Sequence, residues 1–188
     1  MAGPYGDISN SYRQPDLPVC AKTYTVYHYN YGRWVGEALE DHGHQMEAVF
    51  SYVDSELWNQ YVGPVGAQQG PRRCGNVHTP PNGATDYDWA SEADALSDCD
   101  DWKPDGSGAK KKVDCHDWYG GVCHDTGGIE YKIWWMQHIP AKNNGLTYQD
   151  KPLRNWWAFF GDFDAAMASG RTLLEPPSVK EGDGTAGQ

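Results

Sequence analysis

Four short stretches of the chain have the alternating or aromatic-rich pattern that is typical of β-strands. They are 22–31 (KTYTVYHYNY), 46–53 (MEAVFSYV), 129–138 (IEYKIWWMQH) and 155–161 (NWWAFFG). Many Gly and Pro residues separate them, 22 and 12 in number, and this composition indicates frequent turns between short elements. The pattern predicts an all-β domain, a β-sandwich or a jelly-roll-like fold with short helices.

Two short helices are expected beside these strands. One covers 55–62, with Asp54 or Ser55 as N-cap and Gly63 as the stop, and the other covers 162–170. A single helix over 35–61 competes with the second strand, but it would contain two glycines, each costing about 1 kcal/mol relative to alanine.

A length of 188 residues fits one domain with its own core. Residues 1–19 are predicted to form an extended lead-in, 20–174 a single β-rich domain, and 175–188 a disordered tail. Within the domain, 64–128 is expected to be a long irregular insert.

Five cysteines give an odd count, and four of them fall in the Gly/Asp-rich insert, where little apolar periodicity holds the backbone. Disulfides are expected there, with Cys74–Cys99 and Cys115–Cys123 as the preferred pairing of the three that are open, and Cys20 outside both. The competing interpretation is a zinc site built from the last two cysteines and the histidine after each, but their spacing fits structural zinc poorly. Disulfides predict a secreted, extracellular protein.

The charge balance excludes some partners. Fifteen Lys and Arg against 26 Asp and Glu give a net charge of −11, which does not suit a nucleic-acid-binding protein. No apolar run approaches the roughly 20 residues that span a bilayer, so no transmembrane segment is expected.

Tryptophan and tyrosine are unusually frequent, with nine Trp and twelve Tyr against four Phe. Such rings suit surfaces that are partly apolar and partly wet. Adjacent tryptophans on a strand point to opposite faces, so one ring of each pair is expected to face outward. The predicted ligand-binding residues are Tyr29, Tyr31, Trp134, Trp135, Trp156 and Trp157.

A cluster of metal-ligand types surrounds Gly43. His42, His44 and Glu47 are the candidate ligands of one divalent ion, with Mg²⁺, Ca²⁺ and Zn²⁺ all left open. On an ideal strand the two histidines share a face and the glutamate points away, so a bulge or a loop-to-strand junction is required.

The segment 42–54, HGHQMEAVFSYVD, runs from a His-x-His-x-x-Glu pattern into an apolar stretch and resembles the Gly-His-Arg-His-Asp-Trp-Glu motif of the necrosis-inducing, cytolysin-like secreted protein family. The resemblance implies a β-sandwich with a divalent cation in an acidic pocket that recognises sugar headgroups of membrane sphingolipids without catalysis. It implies that His42 and Glu47 are cation ligands. Gln45 and Met46 stand where the family motif has Asp and Trp, so one hard ligand is missing.

These observations predict recognition of a carbohydrate or a glycolipid headgroup, with a divalent metal in an acidic pocket. One alternative is a metal-dependent or two-carboxylate enzyme that degrades polysaccharide, for which Asp86, Asp88 and Glu130 are candidate carboxylates. A second alternative is a structural or assembly protein of an extracellular surface.

Overall fold

The computed structural model describes residues 8–9, 20–29, 32, 34–64, 73–124, 126–142 and 144–174. Its elements are, in chain order, α1 (Trp34–Val53), α2 (Ser55–Val62), β1 (Ala95–Ser97), a 3-10 helix (Cys99–Asp101), β2 (Lys111–Val113), α3 (His116–Tyr119), α4 (Ile129–His138), β3 (Thr147–Tyr148), β4 (Lys151–Pro152), α5 (Ala158–Gly161) and α6 (Phe163–Ala168). The strands of this part of the chain pair as two separate antiparallel sheets, β1 with β2 and β3 with β4. The predicted β-sandwich or jelly-roll is therefore wrong, because the long elements are helices.

Helix α1 replaces the strand predicted over 46–53. Its buried apolar residues are Met46, Val49, Phe50 and Val53, and their spacing of three and four places them on one helical face. The predicted strand would place two of these residues on each of its faces, whereas the helix directs all four into the core.

Helix α2 confirms the prediction for 55–62. The Asp54 side chain accepts a hydrogen bond from the Leu57 N–H at 3.1 Å, and Gly63 ends the helix with a φ of 79°. Asp54 separates α2 from α1, so the single helix considered over 35–61 is in fact two helices. The helix predicted over 162–170 is also confirmed as α6, which Asp162 caps.

Helix α4 occupies 129–138, where a strand was predicted. Trp134 and Trp135 are both buried in it, with 7% and 0% of their surface exposed, so neither ring faces outward. β-Propensity of aromatic residues reflects packing on a half-buried surface rather than a backbone preference, and the same rings pack equally well from a helix.

The segment 155–161 is likewise not a strand, since it forms a turn and then α5. Trp156 at its start is fully buried and donates its indole N–H to the Leu173 carbonyl at 2.8 Å. Its ring contacts those of Phe50 and Tyr61, each with centroids 5.2 Å apart. The aromatic excess therefore builds the core between α1, α2 and the C-terminal helices.

In the predicted strand 22–31, the described residues 22–29 contain one bridged position, Tyr24, instead of a strand. Two backbone N–H groups here donate to side-chain oxygens instead of to the carbonyls of a neighbouring strand. The Thr23 N–H donates to the Asp164 carboxylate at 3.1 Å, and the Val26 N–H donates to the Ser9 hydroxyl at 2.7 Å.

Both predicted disulfides are confirmed, with Cα–Cα distances of 5.0 Å for Cys74–Cys99 and 5.7 Å for Cys115–Cys123. In the described part of the insert 64–128, they combine with the β1–β2 pair to hold a chain whose other elements are the 3-10 helix and α3. The predicted tail 175–188 and most of the lead-in 1–19 lie outside the described residues. No helix in the described ranges is long and apolar enough to cross a membrane.

Candidate metal centre

Three potential metal ligands converge beside helix α1. Ligand atoms of Glu40, His44 and His78 all lie within 4.8 Å of one another. Glu40 Oε1 is 3.1 Å from His78 Nε2 and 4.0 Å from His44 Nε2. Metal–ligand bonds of about 2.0–2.1 Å put neighbouring vertices of a tetrahedral zinc site about 3.3 Å apart, so the observed distances bracket this value.

Helix α1 supplies two of the three ligands. Glu40 and His44 are four residues apart and therefore lie on one face, one turn above the other. Glu47, three residues further, shares that face and lies beside His44. The helix thus presents a carboxylate, an imidazole and a second carboxylate in a row.

A close approach of α1 to the segment 76–79 brings His78 to this row. A Cβ atom on Gly43 would lie 2.3 Å from Val77 Cγ2 and 2.9 Å from Val77 Cβ, which is closer than atoms pack. Only glycine therefore permits this contact, and its presence inside the helix has a packing reason.

Hydrogen bonds fix the conformation of the segment that carries His78. The Asn76 side-chain oxygen accepts the N–H groups of His78 at 3.0 Å and of Thr79 at 2.8 Å, and the Tyr131 hydroxyl donates to the Asn76 carbonyl at 2.8 Å. The Cys74–Cys99 disulfide anchors the chain two residues before this segment. The third ligand is therefore positioned before any metal binds.

Two of the three candidate ligands, His44 and Glu40, are also held by side chains outside the cluster, His44 by Glu47 and Glu40 by Lys132. His44 Nδ1 lies 3.0 Å from Glu47 Oε2, and Glu47 Oε1 accepts the Val77 N–H at 3.0 Å. A proton on Nδ1 leaves the Nε2 lone pair directed at the cluster, the arrangement in which a carboxylate orients a metal-binding histidine.

The second carboxylate oxygen of Glu40 accepts a hydrogen bond from Lys132 Nζ at 2.8 Å. The Lys132 side chain is only 1% exposed, and its ammonium also donates to the Gly36 and Gly127 carbonyls at 3.2 and 3.0 Å. It lies 4.5 Å from the centre of the Trp89 ring. This buried cation is fully compensated, and it fixes the orientation of Glu40.

Electrostatics favour the charged forms of the α1 side chains. Burial acts to raise the pKa of Glu40, but the hydrogen bond and charge of Lys132, together with His78, outweigh it and lower the pKa. The hydrogen bond to Glu47 raises the pKa of His44 against the effect of burial, with further help from the negative charges of Glu40 and Asp41. Glu40 is therefore held in the ionised form that binds a cation, whereas metal binding by His44 has to displace the proton that Glu47 favours.

Two cavities border the cluster. One of about 400 Å³ is lined by Glu40, Tyr87, Trp89 and Lys132 among others, and one of about 380 Å³ is lined by His44, Glu47 and their neighbours. Tyr87 closes one side of the centre. Its hydroxyl lies 3.2 Å from His78 Nε2, and the two rings are 4.4 Å apart.

The structure places the predicted ligands His44 and Glu47 at this cluster but directs His42 elsewhere. Residues two apart on a helix point about 200° apart, so His42 faces the N-terminal segment. There its Nε2 lies 2.7 Å from the Tyr29 hydroxyl, and its ring lies 4.4 Å from that of Tyr27. The strand geometry that paired the two histidines does not apply.

Sequence reasoning missed Glu40 and His78. Helical spacing of Glu40, His44 and Glu47 was a signal that could have found the first. His78 lies 34 residues beyond His44. No local sequence pattern predicts its contact with α1, because the fold of the insert creates that contact.

The predicted ring platform does not form. Trp134, Trp135 and Trp156 are buried and Trp157 is half-buried, so the tryptophan pairs provide packing instead. Tyr29 is 50% exposed but lies on the His42 side of α1, away from the candidate ligands. The predicted binding residue Tyr31 lies outside the described residues.

A second cluster, Cys115, His116 and Cys123, has ligand atoms within 4.8 Å, but its cysteines form a disulfide and so offer no thiolate. The carboxylates considered for a two-acid enzyme make local bonds. Asp86 accepts from the Thr79 hydroxyl at 2.7 Å, and Asp88 accepts from the Ala84 N–H at 3.0 Å.

Comparison of the chain with protein-family models, with curated proteins and with solved structures gave no match. The resemblance of 42–54 to the cytolysin-like family therefore stays untested, although the β-sandwich that it implied is wrong for this chain.

Proposed function

We propose that the protein binds one divalent transition-metal ion, zinc in the first place, through Glu40, His44 and His78, and that it uses this ion to hydrolyse its substrate. The observation that carries the proposal is the convergence of the three ligand atoms within 4.8 Å. Glu47 and Lys132 hold two of these ligands from behind, which supports a prepared site.

The donor set supports zinc over the other ions first considered. Two imidazole nitrogens and one carboxylate oxygen suit zinc and its neighbours, whereas Ca²⁺ and Mg²⁺ favour oxygen ligands throughout. Three protein ligands leave one coordination position for water, as catalytic zinc sites do. The cavity of about 400 Å³ beside Glu40 offers room for a substrate group at that position.

Glycan recognition, the function first predicted from the sequence, is a second candidate. Tyr87 beside the same cavity supports it, because 52% of this residue is exposed and its ring can contact a sugar. A glycan-binding screen of the metal-loaded protein tests it. We expect any binding to disappear in Tyr87→Ala, and binding that survives this change would contradict a glycan site here.

We also propose that the protein works in an oxidising, extracellular compartment. Two disulfides within one chain of this size support that location, because cytosolic thiols are kept reduced.

Zinc titration of the chelator-stripped full chain tests the metal centre. We expect one ion per chain. His44→Ala and His78→Ala should each weaken zinc binding by about 100-fold or more, since loss of an outer partner alone costs about 10–100-fold. His42→Ala is the matched control, because it removes an imidazole from the same helix on the opposite face.

Melting curves of the metal-free variants check that each one folds. Absence of stoichiometric zinc in the wild-type protein, or equal losses of zinc affinity in His42→Ala and His44→Ala, would contradict the proposed centre.

Hydrolysis is tested separately by assaying a panel of polysaccharides and activated esters with zinc-loaded and metal-free protein. The proposal predicts turnover that needs zinc and is absent in His78→Ala, and equal turnover without zinc would contradict it.

A further inference from the structure

Tyr87 has a backbone conformation that its side chain disfavours. Its φ is 65°, a left-handed value that is rare for bulky residues. The Tyr87 N–H donates to the His78 carbonyl at 2.8 Å, which holds the residue in this conformation. Because half of Tyr87 is exposed, core packing does not explain the strain.

The strained backbone sets the phenol against a candidate metal ligand. The Tyr87 hydroxyl is 3.2 Å from His78 Nε2, the atom that would bind the ion. This distance is that of a hydrogen bond between the phenol and the imidazole. When a metal takes the Nε2 lone pair, the hydroxyl is left next to the remaining coordination position.

We propose that Tyr87 donates a hydrogen bond to the oxygen ligand at that position, and that this ligand belongs to an acyl compound, such as an ester under hydrolysis or a carboxylate product. The inference rests on the proposed metal centre. Tyr87 acts here as a neutral donor and not as a fourth metal ligand, because a phenolate beside the Glu40 carboxylate would bring two negative charges together.

The reaction that this arrangement serves consumes one water. A zinc ion held by Glu40, His44 and His78 would supply a water activated for attack on the acyl carbon, and this water would release one proton to solvent. The π electrons of the C=O bond move to its oxygen, which accepts the hydrogen bond from Tyr87. This oxyanion then re-forms C=O while the C–O bond to the alcohol breaks, and the leaving oxygen takes a proton from solvent. The products are a carboxylic acid and an alcohol.

The adjoining cavity fits a polar group of modest size. Its volume of about 400 Å³ is near the lower end of ligand sites, which span about 300–1,000 Å³. Glu40, Tyr87 and Lys132 line it and supply a carboxylate, a hydroxyl and an ammonium group beside the candidate metal position.

Acetohydroxamate tests the inference, because it binds zinc through oxygen atoms and carries the acyl group. Calorimetry measures its Kd with zinc-loaded wild-type protein and with Tyr87→Phe. We expect the zinc affinity of the variant to stay unchanged and its hydroxamate Kd to rise about tenfold or more, because hydrogen bonds to charged groups contribute about 1.5–3 kcal/mol. Tyr29→Phe is the matched control, since Tyr29 is also half exposed and its hydroxyl bonds His42 on the other face of α1.

Three results would overturn the inference while leaving the metal centre intact. The first is a loss of zinc affinity in Tyr87→Phe, which would make the phenol a metal ligand. The second is a hydroxamate Kd that is the same in Tyr87→Phe and in the wild-type protein. The third is the absence of hydroxamate binding to the zinc-loaded wild-type protein. A wild-type protein that takes up no zinc contradicts the metal centre itself, and the inference falls with it.

Discussion

Gly43 sets the distance between helix α1 and the segment that carries His78. Gly43→Ala should lower zinc affinity, because the added Cβ would overlap Val77 and push His78 away from His44. Overpacking costs about 1–3 kcal/mol, which offsets or outweighs the gain of about 1 kcal/mol from replacing a helical glycine. Zinc titration and thermal unfolding measure both effects.

Gly36→Ala is the control for this change on the same helix. A Cβ there would meet its nearest neighbour, Ile129 Cγ1, at 3.4 Å, an ordinary contact. We expect this variant to keep its zinc affinity and to gain about 0.5–1 kcal/mol in the free energy of unfolding. Equal zinc affinities in the two variants would show that Gly43 has no role in positioning His78.

Glu47 orients His44 without being a ligand in the proposed centre. Glu47→Gln should weaken zinc binding by about 10–100-fold, because it removes the charge that holds His44 Nδ1. Glu56→Gln, an exposed glutamate on α2, is the matched control. A loss as large as that of His44→Ala would instead make Glu47 a direct ligand.

Residue types alone predicted part of this cluster. His44 and Glu47 stand out because nitrogen and oxygen ligands crowd around a glycine in the sequence. His42 was chosen with them because strand geometry puts residues two apart on one face. In a helix that face is shared at a spacing of three or four, so Glu40 takes the place of His42.

At the scale of elements, the Cys74–Cys99 disulfide anchors the segment that carries His78. Replacing both cysteines with alanine should cost about 3.5 kcal/mol of unfolding free energy for a separation of 25 residues in the chain-entropy model. Zinc affinity should fall as well, because the segment that follows Cys74 loses its anchor. Denaturant unfolding and zinc titration measure the two effects.

The Cys115–Cys123 pair provides the comparison. Its separation is 8 residues, so its removal should cost about 2.5 kcal/mol. We expect the zinc affinity of that variant to match the wild-type protein, because this disulfide does not anchor a candidate ligand. If both double variants lose zinc equally, general destabilisation would explain the loss rather than the position of His78.

Capping residues made the short helices predictable, whereas aromatic content misled for the longer ones. Asp54 is a local signal, and α2 begins after it as expected, whereas α6 begins one residue later than predicted, after its cap Asp162. In α4, the residues 131–135 carry the same bulky rings that a strand would use. Periodicity over so few positions does not distinguish a strand from a helix. Packing against α1 and α3 stabilises the helix.

At the scale of the whole molecule, the aromatic residues and the disulfides divide the stabilising roles. Trp102, Trp135 and Trp156 are fully buried and fill the core, while the disulfides secure the irregular insert. Long-range contact between this insert and α1 creates the candidate centre. Sequence pattern therefore predicted the cysteine pairing, one of the three candidate ligands and the Glu47 that supports it. It did not predict the contact of His78 with α1, which depends on the complete fold.

X-ray absorption at the zinc edge of the zinc-loaded full chain identifies the atoms bound to the metal. We expect a shell of nitrogen and oxygen at about 2.0–2.1 Å, outer-shell scattering from two imidazoles, and no sulfur at about 2.3 Å. His78→Ala should remove one imidazole from this signal, and His42→Ala should leave it unchanged. A sulfur shell, or a signal with no imidazole, would contradict a centre built from Glu40, His44 and His78.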